Sequence, residues 1–167
     1  YDAADRRMGK DGYIACASCH LDGGHDGVTW DFTQAGEGLR NTISLHGRAG
    51  LSHGNVHWTA NFDEIQDFEH DVRAAFGGTG FLSDDDFAAT SDPLGAPKAG
   101  KSADLDALAA YVASLDAVPP SPFRDAAGQI DDAARRGRVV FLRSDCQRCH
   151  AGPTFRDGLR HDVGTVA

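Results

Sequence analysis

The chain has 167 residues, and its 25 Asp and Glu residues outnumber 16 Lys and Arg residues to give a formal charge of −9. This charge argues against an unaided nucleic-acid binder, because Lys and Arg contacts to phosphates supply that affinity. The apolar stretches are a few residues long, so no segment reaches the roughly 20 apolar residues that a membrane-spanning helix needs.

The chain begins at Tyr1 without methionine, so we expect a processed, trimmed or fragmentary chain. Twenty glycines accompany an apolar fraction of 41%. This fraction is low for a chain that must build a hydrophobic core. We therefore expect something other than side chains to fill part of that core.

All four cysteines occur in two Cys-x-x-Cys-His motifs, at 16–20 and 146–150. In this pattern two thiols attach to the vinyl groups of a haem, and the adjacent histidine reaches its iron. A zinc site, a thioredoxin-like redox pair and disulfides are the alternatives. The repeat favours two covalently bound c-type haems, held by Cys16, Cys19, His20, Cys146, Cys149 and His150.

The first segments of the chain alternate between helix and loop in this interpretation. Asp2–Met8 has the pattern of the last turns of a helix. Leu21–Leu51 is rich in glycine and is predicted as a loop around a flat ligand, without a sheet. Asp63–Phe76 is a predicted helix that ends at Gly77. Its apolar face repeats at helical spacing through Ile65, Phe68, Val72 and Phe76.

The later segments include two helices with clear N-caps or periodicity. Leu82–Lys101 is a predicted polar loop with a solvated acidic run. Asp104–Leu115 is a predicted helix, with Ser102 as a possible N-cap. Asp131–Arg143 is the last predicted helix. The prolines at 119, 120 and 122 mark an interdomain linker between these two helices.

These elements predict an all-α fold with two cytochrome c-like haem domains, at residues 1–118 and 119–167. The second domain is expected to be incomplete, because residues 151–167 cannot supply a helix that crosses the one before the motif. About 49 residues is also below the usual size of a self-sufficient core. We therefore expect either a truncated chain or another chain that completes the second haem pocket.

Several segments in chain order carry a resemblance to a known family. Around the two motifs lie Arg40–Leu45, Val56–Trp58, Leu108–Leu115, Gly137–Phe141 and His161–Gly164. With these segments the chain resembles the dihaem bacterial cytochrome c peroxidase and MauG-like family.

The resemblance implies that the Cys16/Cys19 haem is peroxidatic and that the Cys146/Cys149 haem transfers electrons to it. It implies hydrogen peroxide or another small oxidant as substrate, and an external donor such as a small cytochrome or cupredoxin. Trp58 matches a tryptophan between the haems, and Asn41 matches an asparagine that helps to hold calcium. The distal histidine that such peroxidases often carry has no counterpart at positions 33–36.

A distal haem ligand would have to come from the glycine-rich region and the residues just after it, where His46, His53 and His57 lie. His57 is the first candidate, because it precedes an aromatic residue and the core helix and because His is a common axial ligand. Met8 is the only thioether, and it is more typical of a core filler at a helix end.

Glu69 falls within the apolar stripe of the predicted 63–76 helix. One interpretation is an ion pair with Arg73, one turn away. The other is general acid–base catalysis on bound peroxide, with Gln66 hydrogen-bonding the peroxide.

The leading hypothesis is a dihaem peroxidase-like enzyme. The alternative is a pure electron carrier or a haem module of a larger redox protein, and a third possibility is a protein with non-haem cysteine pairs. Haem c attachment predicts a periplasmic or otherwise extracytoplasmic protein.

Overall fold

The computed structural model describes residues 2–47, 54–118, 120–152, 155–159 and 161–162. The predicted ligand candidate His53, the linker residue Pro119 and the last family-like positions, 163 and 164, lie outside the described residues. The chain divides into two compact units, unit 1 (Tyr1–Ala117) and unit 2 (Val118–Ala167).

Short helices and one β-hairpin make up the regular structure of the described residues. In unit 1 these are α1 (Cys16–Cys19), β1 (Thr29–Phe32), β2 (Gly38–Asn41), α2 (Glu69–Ala74), α3 (Asp84–Ala89) and α4 (Ala103–Ser114). Unit 2 contains α5 (Asp132–Arg143). Single 3-10 turns occupy Leu21–Gly23, Thr33–Ala35, Ile65–Phe68 and Cys146–Arg148. Within the described part of the chain, no helix has the length and apolar character needed to cross a membrane.

The all-α prediction is wrong, because the glycine-rich segment contains an antiparallel sheet. Strands β1 and β2 pair with Thr29 opposite Asn41 and Phe32 opposite Gly38. Threonine and aromatic residues favour strands, and the 3-10 turn that connects the two strands is followed by Gly36 with φ of 80°. Glycine adopts this left-handed conformation readily, so the glycine content that indicated a loop supports the hairpin. The helices are also too short for a clearly all-α cytochrome c fold.

Three other segments differ from the prediction. The predicted 63–76 helix is divided into a 3-10 turn at Ile65–Phe68 and helix α2 at Glu69–Ala74. Residues 2–8 form turns without a helix. Helix α3 lies within the predicted polar loop, where the Ser83 side chain accepts the Asp86 N–H. Three aspartates occupy its first turn, where carboxylates stabilise a helix N-terminus. The acidic run is therefore part of a capped helix.

Helices α4 and α5 begin and end within one residue of their predicted bounds, so both predictions are confirmed. Ser102 caps α4 by accepting the Leu105 N–H, and Asp131 caps α5 by accepting the Ala134 N–H. The helical spacing predicts four inward residues, of which Leu105, Leu108 and Val112 are buried and Leu115 is partly buried.

A buried carboxylate holds the loop after α2 in unit 1. Glu69 is 0% exposed, and it pairs with Arg73 at 2.8 Å. Its oxygens also accept the backbone N–H groups of Phe81, at 2.9 Å, and Leu82, at 3.1 Å. Gly80 lies directly against this pair with φ of 80°, and a Cβ there would clash with Glu69 Oε1 and Arg73 Nε. The close approach therefore requires glycine.

Replacement of Gly80 by alanine should destabilise unit 1 more than the same change at Gly100. Both glycines have φ near 80°, but a Cβ at Gly100 meets nothing within 4 Å. Gly100→Ala therefore costs only the left-handed backbone penalty, about 1–2 kcal/mol. Gly80→Ala also disrupts a buried ion pair, so we expect a loss larger by at least about 2 kcal/mol in urea unfolding. Equal losses for the two variants would contradict the role of Glu69.

Candidate functional site

Unit 1 contains a cavity of about 510 Å³ with a largely apolar lining. This volume lies within the range of small-molecule and cofactor sites, about 300–1,000 Å³. The apolar face predicted for residues 63–76 lines the cavity, as do two buried residues of α4. The lining thus includes Ile65, Phe68, Val72, Phe76, Leu108 and Val112. These side chains face an internal space that a flat apolar group would fill.

The first cysteine motif opens onto this cavity, whose lining includes Cys16, Cys19 and His20. Helix α1 begins at Cys16, and the His20 N–H donates to the Cys16 carbonyl at 2.9 Å. The ring Nδ1 of His20 is 3.4 Å from the carbonyl oxygen of Gly24. A proton on Nδ1 directed at this carbonyl leaves the lone pair on Nε2. Metal-binding histidines are commonly oriented in this way.

The second motif repeats the local geometry of the first within unit 2. The His150 N–H donates to the Cys146 carbonyl at 3.0 Å, and His150 Nδ1 is 3.1 Å from the carbonyl oxygen of Phe155. Phe141 of α5 places its ring 6.4 Å from the His150 ring and 6.0 Å from the Phe155 ring. Both motifs therefore present a histidine whose Nδ1 faces a backbone carbonyl.

The four cysteines form no disulfide. Burial raises the pKa of the Cys16 thiol, and burial together with the Asp26 carboxylate raises the pKa of Cys19. Reactive redox thiols depend on a lowered pKa, so the raised pKa values do not favour a thioredoxin-like redox pair at the first motif. Within the described residues, no group of three or more His, Cys, Asp or Glu residues could hold a metal ion.

A cluster of charged side chains interrupts the apolar lining, and we call Glu37, Arg40, His57 and Asp71 the polar wall. All four line the cavity. His57 Nδ1 is 3.6 Å from Glu37 Oε1, and His57 Nε2 is 3.5 Å from Asp71 Oδ2. Arg40 Nε is 3.3 Å from Glu37 Oε2. Burial raises the pKa of Asp71, although the charge of the His57 ring opposes this shift.

The structure brings some of the predicted site residues to the cavity. His57, Trp58, Gln66 and Asn41 all line it. The Trp58 indole N–H donates to the Asn41 carbonyl at 2.9 Å, and this bond joins the 57–58 segment to strand β2. The Gln66 amide donates to Asp106 at 2.9 Å. The iron ligation predicted for His57 and the calcium site predicted for Asn41 stay predictions.

Glu69 does not belong to the cavity lining, and its ion pair with Arg73 is confirmed. The apolar stripe was placed on the assumption that residues 63–76 form one α-helix, but residues Ile65–Phe68 form a 3-10 turn. A 3-10 turn has 3.0 residues per turn instead of 3.6, which shifts the edge of the apolar stripe, although Val72 and Phe76 still line the cavity. Glu69 therefore holds the loop after α2, and its acid–base role stays a prediction.

The prediction from sequence missed three members of the polar wall, Glu37, Arg40 and Asp71. Asp71 directly precedes Val72 at the edge of the apolar stripe, and this position was a usable signal. Glu37 and Arg40 reach the cavity because the β-hairpin folds them there. Pairing between strands brings distant residues together, and short-range periodicity does not report it.

Comparison with known proteins adds one finding to this geometry. The chain is similar to hydrazine synthase subunit gamma of Kuenenia stuttgartiensis. The two sequences are 30% identical over 172 aligned positions, which cover 96% of this chain and 45% of the relative. The chain therefore spans less than half of the length of this curated relative. No family model matches the chain, and no solved structure matches it significantly.

Proposed function

We propose that the protein is a dihaem c redox protein whose unit 1 cavity admits a small molecule to the first haem. The observation that carries this proposal is the first cysteine motif, which opens onto an apolar cavity of about 510 Å³. The orientation of His20 toward the Gly24 carbonyl supports the same assignment.

The residues present fit a c-type haem in both units. Cys16 and Cys19 would form the thioether bonds in unit 1, and His20 would bind the iron. Cys146, Cys149 and His150 would do the same in unit 2. When bound, each haem supplies one-electron redox chemistry at its iron. The apolar side chains of α2 and α4 would exclude water from the first haem, while the polar wall would bind polar parts of a substrate.

We infer electron flow from an external donor through unit 2 to unit 1, with hydrogen peroxide as the small oxidant. The family resemblance of the sequence supports this direction, and a small cytochrome or cupredoxin would suit the donor role. Another chain would complete the second haem pocket, because α5 has no buried residue of its own. Covalent haem attachment points to an extracytoplasmic location.

A second candidate is the redox chemistry of a small nitrogen compound. The similarity to a hydrazine synthase subunit across 96% of this chain favours it. Peroxide and hydrazine are both small and polar, so the same cavity accommodates either.

The test is to produce the full chain in a host that attaches haem c and to record its mass and Soret spectrum after denaturation. We expect two haems that remain attached. Peroxide with a reduced donor, and hydrazine with an oxidised electron acceptor, then identify the reacting substrate class. Absence of attached haem would refute the proposal, and two haems inert to peroxide, hydrazine and cyanide would favour a pure electron carrier.

A further inference from the structure

The exposed face of helix α5 has a composition that the haem motifs do not explain. We propose that this face is the docking surface for an acidic redox protein that donates electrons to unit 2. The partner loses one electron in each encounter, and the second haem gains it. The inference rests on the proposed function, and it specifies the charge of the donor and the surface that the donor contacts.

Four residues of α5 form one continuous stripe, which we call the α5 stripe. Arg136, Val139, Val140 and Arg143 follow the spacing i, i+3, i+4 and i+7, which places them on one face of a helix. All four are exposed, and the two valines keep 47% and 61% of their surface accessible. The α5 stripe therefore has an apolar centre with an arginine at each end.

The two arginines of the α5 stripe have no acidic partner within the part of the chain that the structure describes. Arg135, on the same helix, pairs with Asp132 at 3.1 Å, whereas neither Arg136 nor Arg143 forms an ion pair there. Arginine is enriched in protein interfaces, and its planar guanidinium binds a carboxylate through two parallel hydrogen bonds. The α5 stripe therefore fits a partner surface that carries carboxylates around an apolar centre.

The formal charges of the two units favour an acidic partner on unit 2. Unit 2 contains eight arginines, no lysine and six aspartates, which gives a charge of +2. Unit 1 contains eight basic and 19 acidic residues, which gives a charge of −11. At physiological salt, charges are screened beyond about 8 Å, so local charge and not the net charge of the chain selects the partner. An acidic protein is therefore attracted by the α5 stripe and repelled by unit 1.

The opposite face of α5 connects this surface to the second cysteine motif. At 100° per residue, Phe141 lies about 150° from the centre of the α5 stripe. Its ring is 6.4 Å from the His150 ring, so the helix packs on the motif with the side that the stripe leaves free. A helix with its side chains is about 10–12 Å wide. A partner on the α5 stripe would thus be separated from the second motif by one helix, and this short separation favours a redox partner.

The experiment measures how the full-length haem protein binds two charge forms of one small cytochrome. Mitochondrial cytochrome c is basic, and succinylation of its lysines replaces each positive charge with a negative one. Isothermal titration calorimetry with both proteins oxidised reports affinity without electron transfer. We expect Arg136→Glu/Arg143→Glu to weaken binding of the succinylated form by at least about 10-fold at about 0.15 M salt. The unmodified form should lose no affinity for this variant.

Two other double variants separate docking from general attraction between charges. Arg6→Glu/Lys10→Glu is the matched control, because both residues are exposed in unit 1 and the net charge changes equally. It should bind the succinylated form like the parent. Val139→Ser/Val140→Ser keeps every charge and should also weaken binding, because it removes the apolar centre of the α5 stripe.

Equal weakening by the two charge-reversal variants would overturn the inference, and so would a parent that does not bind the succinylated form. A parent that dimerises through the α5 stripe in sedimentation analysis would also overturn it, because a second copy would then cover the surface. Arg136→Gln/Arg143→Gln replaces the charge reversal if that variant does not fold, and it should bind with intermediate affinity. Failure of the proposed function is distinct, because the parent chain would then carry no attached haem.

Discussion

Replacement of Lys98 by methionine is expected to lower the free energy of unfolding of unit 1 by about 3–5 kcal/mol. The Lys98 side chain is 0% exposed, and its ammonium lies 2.7 Å from Asp67 Oδ1, which is also buried. Asp67 Oδ2 accepts the N–H groups of Asp63 and Glu64, both at 3.1 Å. Removal of the lysine charge therefore leaves a buried carboxylate uncompensated, just before the segment that lines the cavity.

Two further variants make this prediction specific. Lys101→Met removes a partly exposed partner of Asp86, and such pairs contribute about 0–1 kcal/mol. The double variant Lys98→Met/Asp67→Asn removes both buried charges and should recover much of the loss. Urea unfolding measures all three. A loss for Lys98→Met no larger than that for Lys101→Met would show that the buried pair contributes little to stability.

Removal of the first cysteine pair is expected to abolish ligand binding, whereas removal of the second is expected to spare it. In Cys16→Ser/Cys19→Ser the chain should retain one attached haem and lose its cyanide-dependent spectral change. In Cys146→Ser/Cys149→Ser it should also retain one haem but keep that change. The reason is that Cys16, Cys19 and His20 of the first motif line the cavity of unit 1.

The two double variants serve as matched controls for each other, because each removes two thiols from the same local motif. Mass spectrometry of the denatured chains counts the haems, and cyanide titration of the folded chains identifies the reactive one. With peroxide and a reduced donor, the second variant should turn over much more slowly, since the proposed route for electrons is removed. Cyanide binding that follows the second motif would reverse the assignment of the two units.

The sequence by itself determined the local arrangement of the two cysteine motifs and the positions of helices α4 and α5. Cys16, Cys19 and His20 are close in the chain, so their spacing alone presents them together to one ligand. Helix α4 has a capping serine and apolar residues at helical spacing, and both signals are local. Local signals predict the folded structure well because they depend only on a few consecutive residues.

Only the tertiary structure decided which side chains face the cavity. The β-hairpin places Glu37 and Arg40 on the cavity wall through strand pairing, and the 3-10 turn before α2 places Glu69 outside the lining and Asp71 within it. Both effects depend on backbone geometry. One links residues on separate strands, and the other changes the helical repeat by a fraction of a residue per turn. A sequence pattern read at a single helical period contains neither piece of information.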